Sequence, residues 1–152
     1  MAVRGFFSDT RLVLGDPAGS YTAPAALPYV WTIVHLPAFD RRALVTFLID
    51  TGADVTTLHP QDSLRLLSPS EFSGLTKPVA LGGAGAGVNH YPLDATIVFM
   101  HDDQRLHSID ITAYVAEPTT LNMRYESLLG RDALDHFVMH FDQRARTVTL
   151  GT

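Results

Sequence analysis

A short apolar run that ends in an acidic residue restricts the fold of this chain more than any other feature. Residues 43–49 read ALVTFLI and are followed directly by Asp50, Thr51 and Gly52. An apolar run of this length between turn signals is typical of a strand buried on both faces. A carboxylate at the end of such a strand is costly to leave unpaired. The segment therefore predicts a core strand whose terminal carboxylate needs a hydrogen-bond network, a metal or a function.

The rest of the chain favours β-structure. Further strands are predicted at residues 29–36, 79–81, 93–100, 109–116, 138–141 and 147–150, the last two as a closing hairpin. Helix signals are confined to residues 61–67, where a proline stands at the start, and to residues 130–137. Many short strands separated by turns predict an all-β fold with one or two short helices.

Composition and charge exclude several classes of protein. The chain has 13 Asp, three Glu and one lysine, Lys77, and its net charge is −5. The acidic balance argues against a nucleic-acid partner, and the scarcity of Glu and Lys argues against a helical bundle. The absence of cysteine excludes disulfides, cysteine-zinc sites and thiol nucleophiles.

The N-terminal part of the chain gives no membrane or export signal. Its first nine residues contain no apolar stretch of signal-peptide length. Residues 17–39 are uncharged, but four prolines interrupt them, so we expect no membrane contact and a cytoplasmic protein. We interpret residues 1–27 as an arm and linker, either a dimer-interface strand or a pro-segment, and residues 28–152 as the main domain.

Three motifs occur in a characteristic order. Ile49 is followed by Asp50-Thr51-Gly52-Ala53-Asp54, a glycine-rich LGGAGAGV follows at 81–88, and Leu-Leu-Gly-Arg-Asp follows at 128–132. In this order the chain resembles the retroviral-type aspartic proteases (retropepsins) and their cellular and bacterial relatives, over roughly residues 28–151. The resemblance implies a closed retropepsin-like barrel, a homodimer and endopeptidase activity on extended peptides or unfolded proteins.

The count of acidic motifs determines the expected assembly. Aspartic proteases use two carboxylates that share one proton, and this chain has a single Asp-Thr/Ser-Gly. A second copy must therefore supply the other carboxylate across a two-fold axis. Asp50 is the expected catalytic acid and base, and Gly52 provides the turn. By resemblance, Thr51 hydrogen-bonds across the axis.

Further roles follow from the resemblance. Asp54 and Arg131 are expected to form an ion pair near the dimer contact, and the glycine-rich segment is expected to form a flap over the substrate. Ala53 replaces the serine usual in pepsin-type enzymes and cannot donate a hydrogen bond to the carboxylate, so we expect a weakly acidic pH optimum. Substrate contacts are expected from Ala53, Asp54, Leu81, Gly82, Gly83, Ala84 and Gly85.

Other interpretations of these motifs have weaker support. The glycines lack the Gly-Lys-Ser/Thr of a phosphate loop and the spacing of a dinucleotide fingerprint. His136 and His140 are four residues apart, but His140 lies in a predicted strand, so we expect no metal and no cofactor. The alternative function is a dimeric peptide-binding or scaffolding module that keeps the fold and has lost catalysis.

Overall fold

The computed structural model describes residues 1–8, 11–12, 21–22, 26–82 and 87–152, with the backbone alone for 11–12 and 21–22. The strands are β1 (Ala2–Ser8), β2 (Arg11–Leu12), β3 (Tyr21–Thr22), β4 (Leu27–Leu36), β5 (Arg41–Ile49), β6 (Thr57–Leu58), β7 (Val79–Ala80), β8 (Asn89–Met100), β9 (Leu106–Ala116), β10 (Leu128–Leu129), β11 (Val138–Asp142) and β12 (Thr147–Gly151). The helices are α1 (Pro60–Leu66), α2 (Pro69–Ser73) and α3 (Arg131–Leu134), with a 3-10 turn at Pro37–Phe39.

Ten of the strands form one sheet in the order β11-β12-β1-β4-β5-β10-β6-β9-β8-β7. β4 also pairs with β8, through Ile33, Val34 and His35, so the sheet folds back on itself. The mostly β fold predicted from the sequence is confirmed. β2 and β3 pair separately.

The core lies on the concave side of this sheet. Alternate residues of β4 point into it, and so do Val45, Phe47 and Ile49 of β5, which are no more than 5% exposed. The prediction that residues 43–49 are buried on both faces was wrong, because Leu44 is 58% exposed and the residues between are half-buried. β5 therefore has the alternating burial of a strand with one solvated face.

The N-terminal residues belong to the same sheet as the main body. β1 pairs antiparallel with β12, for example Val3 with Leu150, and at its other edge with β4, where Phe6 faces Tyr29. Within the described part of the chain, no helix is long and apolar enough to cross a membrane.

The described residues contain three α-helices, whereas the sequence predicted one or two. α1 begins one residue before the predicted segment 61–67, α3 lies within the predicted segment 130–137, and α2 is additional. Ser68 caps α2, because its hydroxyl accepts the Glu71 amide and the Glu71 carboxylate accepts the Ser68 amide. This reciprocal capping box, with Pro69 at the first helical position, is a helix-start signal that the sequence carried.

Candidate active site

Asp50 lies where β5 leaves the sheet. The Asp50 amide donates to the carbonyl of Leu129 at 3.1 Å, and the Leu48 amide donates to the carbonyl of Ser127 at 2.9 Å. Both acceptors belong to β10 or the residue before it, and β10 lies between β5 and β6. The acidic residue is therefore held by two strands that are distant in the sequence.

A tight turn presents the carboxylate of Asp50. The Gly52 amide donates to Asp50 Oδ1 at 2.9 Å, and the Ala53 amide donates to the Asp50 carbonyl at 3.2 Å. A Cβ at position 52 would lie 3.2 Å from Asp50 Oδ1, so glycine leaves room for the carboxylate. Thr51 and Gly52 are exposed at the tip of this turn. Asp50 itself is half-buried, and the Gly52 amide is the backbone donor beside its carboxylate.

Helix α3 is joined to the Asp50 turn. Arg131 forms an ion pair with Asp54, and this hydrogen bond raises the pKa of the guanidinium. The Arg131 amide donates to the Ala53 carbonyl at 2.9 Å, and the Asp132 amide donates to the Asp54 carbonyl at 3.2 Å. The ion pair is solvent-exposed, so the two backbone bonds carry more of the connection.

A second, more buried connection was not predicted from the sequence. The Asp132 carboxylate accepts the Thr56 amide at 3.0 Å and the Thr56 hydroxyl at 2.7 Å. That hydroxyl oxygen also accepts the Gly130 amide at 3.1 Å. Asp132 and its partner Thr56 lie 76 residues apart in the sequence. Thr56 is fully buried, so these bonds are shielded from water.

The glycine-rich segment lies between two paired strands. Val79 faces His90 and Ala80 faces Asn89, which gives the base of a β-hairpin. Leu81 and Gly82 leave β7, and Gly87, with a φ of 88°, leads back to β8. The predicted substrate contacts at Gly83, Ala84 and Gly85 lie outside the described residues.

The loop at residues 117–126 is a feature that the sequence analysis missed. The side chain of buried Asn122 accepts the Thr119 amide at 2.8 Å and donates to the Glu117 carbonyl at 2.8 Å. The loop presents three exposed apolar side chains, Leu121, Met123 and Tyr125. It leads directly into β10, the strand whose Leu129 carbonyl accepts the Asp50 amide. The sequence signal that could have indicated this loop is the alternation of apolar and polar residues at 121–125, just before Leu-Leu-Gly-Arg.

The whole arrangement lies inside a recognised sequence family. The model of the family described as retroviral aspartyl protease matches residues 29–141. The chain belongs to this family. A crystal structure of a retropepsin-like aspartic protease from Rickettsia conorii is similar at 15% identity, with a TM-score of 0.42, over 80% of this chain and 81% of that chain. No curated protein matches the sequence significantly.

In this retroviral aspartyl protease family member, two buried histidines lie beside the hairpin base and the 117–126 loop. His59 Nδ1 donates to the Glu126 carbonyl at 2.6 Å, and His90 Nδ1 donates to the Val88 carbonyl at 3.0 Å. The two rings are 6.3 Å apart, and His59 also meets Tyr125 edge-on at 5.7 Å. Burial lowers the pKa of both imidazoles, more strongly than their carbonyl partners raise it.

We expect the protein to lose stability as the pH falls below about 6.5, the ordinary pKa of histidine. A lowered pKa means that the folded state binds fewer protons than the unfolded state, so acid favours unfolding. The contribution of His59 and His90 is therefore complete above this pH and decreases below it. The measurement is the free energy of unfolding in urea from pH 7.5 to 5.

A substitution tests this origin of the acid sensitivity. His59→Asn retains a side-chain amide for the Glu126 carbonyl but cannot titrate, so it should make the decrease less steep. The exposed His136→Asn is the matched control and should leave the slope unchanged. An identical slope in wild type and His59→Asn would contradict the explanation.

A serine, a histidine and an aspartate also meet in this family member, but not as a catalytic triad. The hydroxyl of fully buried Ser127 donates to Asp62 Oδ2 at 2.6 Å and accepts the His59 amide at 3.0 Å. The His59 ring bonds to the Glu126 carbonyl instead of the Ser127 hydroxyl. With no histidine base on its hydroxyl, Ser127 lacks the activation that a serine nucleophile requires. The described residues also contain no group of three potential metal ligands.

Proposed function

We propose that this chain is an aspartic endopeptidase that works as a homodimer, with one Asp50 from each copy. The observation that carries the proposal is the exposed turn at Asp50, which is held by β10 and α3 inside a family of aspartyl proteases. One chain provides one such turn, so the paired carboxylates require two copies related by a two-fold axis. In this proposal Thr51, which is exposed at the tip of the turn, hydrogen-bonds to its counterpart across the axis.

The proposed chemistry uses a water held between the two carboxylates. At about 3 Å they share one proton, because two like charges so close cannot both ionise. The unprotonated carboxylate removes a proton from the water while the water oxygen attacks the scissile carbonyl carbon. The protonated carboxyl group donates its proton to the carbonyl oxygen. Collapse of the tetrahedral intermediate transfers a proton to the amide nitrogen, and the C–N bond breaks. The apparent pKa values belong to the pair.

The proposed substrate is an extended peptide that binds beside Asp50. The glycine-rich segment at residues 81–88 is proposed to act as a flap whose backbone bonds to the peptide and excludes water. The 117–126 loop adds Leu121, Met123 and Tyr125 as an exposed apolar wall. We therefore propose a preference for apolar side chains next to the scissile bond, and a soluble polypeptide substrate with no nucleic-acid or membrane partner.

The test is cleavage of an unfolded protein substrate from pH 4 to 7 by wild type and Asp50→Asn. Asparagine retains the oxygen that accepts the Gly52 amide but cannot act as the acid or the base. We expect cleavage by wild type, with a weakly acidic optimum, and a decrease of roughly 10²–10⁴-fold or more in the variant.

Two results would contradict the proposal. Equal cleavage by wild type and Asp50→Asn would assign the activity to another group or to a contaminant. Peptide binding without cleavage at any pH, by a folded dimer, would favour the catalytically inactive peptide-binding module instead. Asp94→Asn, at an exposed aspartate on β8, is the matched control for the change of charge.

A further inference from the structure

Strand β10 has two residues, so its own ladder fixes its position only weakly. It lies parallel to β5, with Leu128 facing Leu48 and Leu129 facing Ile49. Within the described residues, its pairing with β6 consists of Leu128 with Thr57. With so few ladder bonds, a shift along β5 costs little in backbone hydrogen bonding. The register of β10 therefore depends on side chains next to the strand.

The side chain of Ser127, the residue before β10, is held by a buried carboxylate. Its hydroxyl donates to Asp62 Oδ2 at 2.6 Å and accepts the His59 amide at 3.0 Å. Ser127 is fully buried and Asp62 is 9% exposed, so water competes little for these bonds. Asp62 belongs to α1 and His59 is the N-cap of that helix. The two bonds therefore fasten the start of β10 to α1.

The same carboxylate is connected to β5. Asp62 Oδ1 accepts a hydrogen bond from Arg65 at 2.6 Å, and the Arg65 guanidinium also donates to the Leu44 carbonyl at 2.6 Å. The Ser127 carbonyl in turn accepts the Leu48 amide at 2.9 Å. The network thus joins β10 to β5 at two points, on the strand that leads into the candidate site.

A buried carboxylate in this place is unfavourable as a simple packing solution. Removing a charge from water is costly unless the charge is paired and hydrogen-bonded, and well-packed apolar residues often stabilise a fold at least as well. The best-supported use of such a group is to select one register among several. Asp62 bonds to Ser127 and Arg65 and not to the Asp50 turn, so any effect on that turn passes through β10.

We propose that Ser127 and Asp62 are positioning residues, which set the register of β10 and thereby place the Asp50 carboxylate. The Leu129 carbonyl, two residues after Ser127, accepts the Asp50 amide at 3.1 Å. The inference rests on the proposed function, because this placement affects catalysis only if two Asp50 carboxylates form the reacting pair. A register error in β10 of either copy would change the separation between them.

The separation of the two carboxylates determines the shape of the pH profile. At about 3 Å, strong repulsion between like charges sets the loss of the first proton far from the loss of the second. The singly protonated pair is the active form, so the two proton losses bound the activity. Moving the carboxylates apart weakens the repulsion and brings the two limbs of the profile closer. A loss of folded protein instead lowers the profile without narrowing it.

Ser127→Ala and Asp62→Asn test the positioning role by two routes. Ser127→Ala removes both hydroxyl bonds, whereas Asp62→Asn keeps an oxygen for the Ser127 hydroxyl and loses the charge that pairs with Arg65. Thr32→Val is the matched control. It also removes a buried hydroxyl, which donates to the Val45 carbonyl in a part of β5 that does not pair with β10.

Hydrogen exchange followed by NMR measures the register without relying on catalysis. In Ser127→Ala, the Leu48 and Asp50 amides should exchange about tenfold faster or more relative to the rest of the sheet, as expected for the loss of a buried hydrogen bond. Thr32→Val should leave this ratio unchanged. Unchanged protection of both amides in Ser127→Ala would overturn the proposal. If Ser127→Ala does not fold, the same comparison in Asp62→Asn decides.

Cleavage of the unfolded substrate separates this inference from the proposed function. At pH values where each variant is folded, Ser127→Ala should lower kcat by up to about 100-fold with little change in KM, and should narrow the pH profile of kcat/KM. Thr32→Val should keep the wild-type width. A profile of normal width in a variant whose Asp50 amide has lost protection would overturn the positioning role. Lost protection in a protein whose wild type never cleaves would reject the protease proposal alone.

Discussion

An equal mixture of wild-type and Asp50→Asn subunits, allowed to exchange, should retain about a quarter of the activity of the same total protein as wild type. Random pairing leaves about a quarter of the dimers with two native carboxylates, and a dimer with one asparagine lacks either the acid or the base. Subunits that worked independently would retain about half. The measurement is the initial rate of cleavage as the fraction of Asp50→Asn increases.

The shape of this titration is more informative than its end point. A site shared by two chains gives a rate that falls with the square of the wild-type fraction, whereas independent sites give a straight line. Asp94→Asn subunits have the same loss of charge, on the exposed face of β8, and mixing them with wild type should leave the rate of cleavage unchanged. A linear decrease with Asp50→Asn would reject the shared site even if the single variant were inactive.

Gly130→Ala should destabilise the protein and disable the site together. A Cβ at position 130 would lie 2.4 Å from the backbone carbon and 2.5 Å from the carbonyl oxygen of Val55. Both are backbone atoms, so no side chain can rotate away. We expect a loss of about 3 kcal/mol, at the upper end of overpacking costs. Displacement of β10 also moves the Leu129 carbonyl that accepts the Asp50 amide, so kcat should fall as well.

Two comparisons keep this prediction testable if Gly130→Ala fails to fold. Gly74→Ala is the matched control, since its Cβ would come no closer than 3.4 Å to another atom, and it should be neutral. Thr56→Val removes the hydroxyl that accepts the Gly130 amide, at a cost of about 1–3 kcal/mol. Urea denaturation measures each value. A Gly130→Ala protein as stable as wild type would show that the contact with Val55 is absent in solution.

The sequence indicated the residues of the candidate site, but it did not indicate the buried hydrogen bonds that hold them in place. Asp50 and the short helix at Arg131 were evident because each has a local signal in the sequence, a carboxylate after an apolar strand and a short helical pattern after Leu-Leu-Gly. The bond from Thr56 to Asp132 was not evident. Nothing near either residue indicates a partner 76 positions away, and a buried threonine is compatible with many environments.

The same difference between local and distant information explains which parts of the fold could be predicted from the sequence. Most strands were predicted approximately, because their apolar character is local. β1 was interpreted as part of an arm, because its partner β12 lies at the other end of the chain. The outward face of β5 was misjudged because composition cannot show which apolar side chains remain in solvent. α2 was missed although its capping residues, Ser68 and Glu71, were visible.

The placement of β10 between β5 and β6 determines when the Asp50 turn can form during synthesis of the chain. The bonds that position the Asp50 turn join residues 74 to 79 positions apart in the sequence. Contacts of such high sequence separation require closure of a large loop and form slowly. During synthesis, Asp50 is made long before Gly130 and Arg131, so the nascent chain carries the acid without its scaffold. The protein therefore acquires a formed Asp50 turn only when nearly all of the domain has been synthesised and folded.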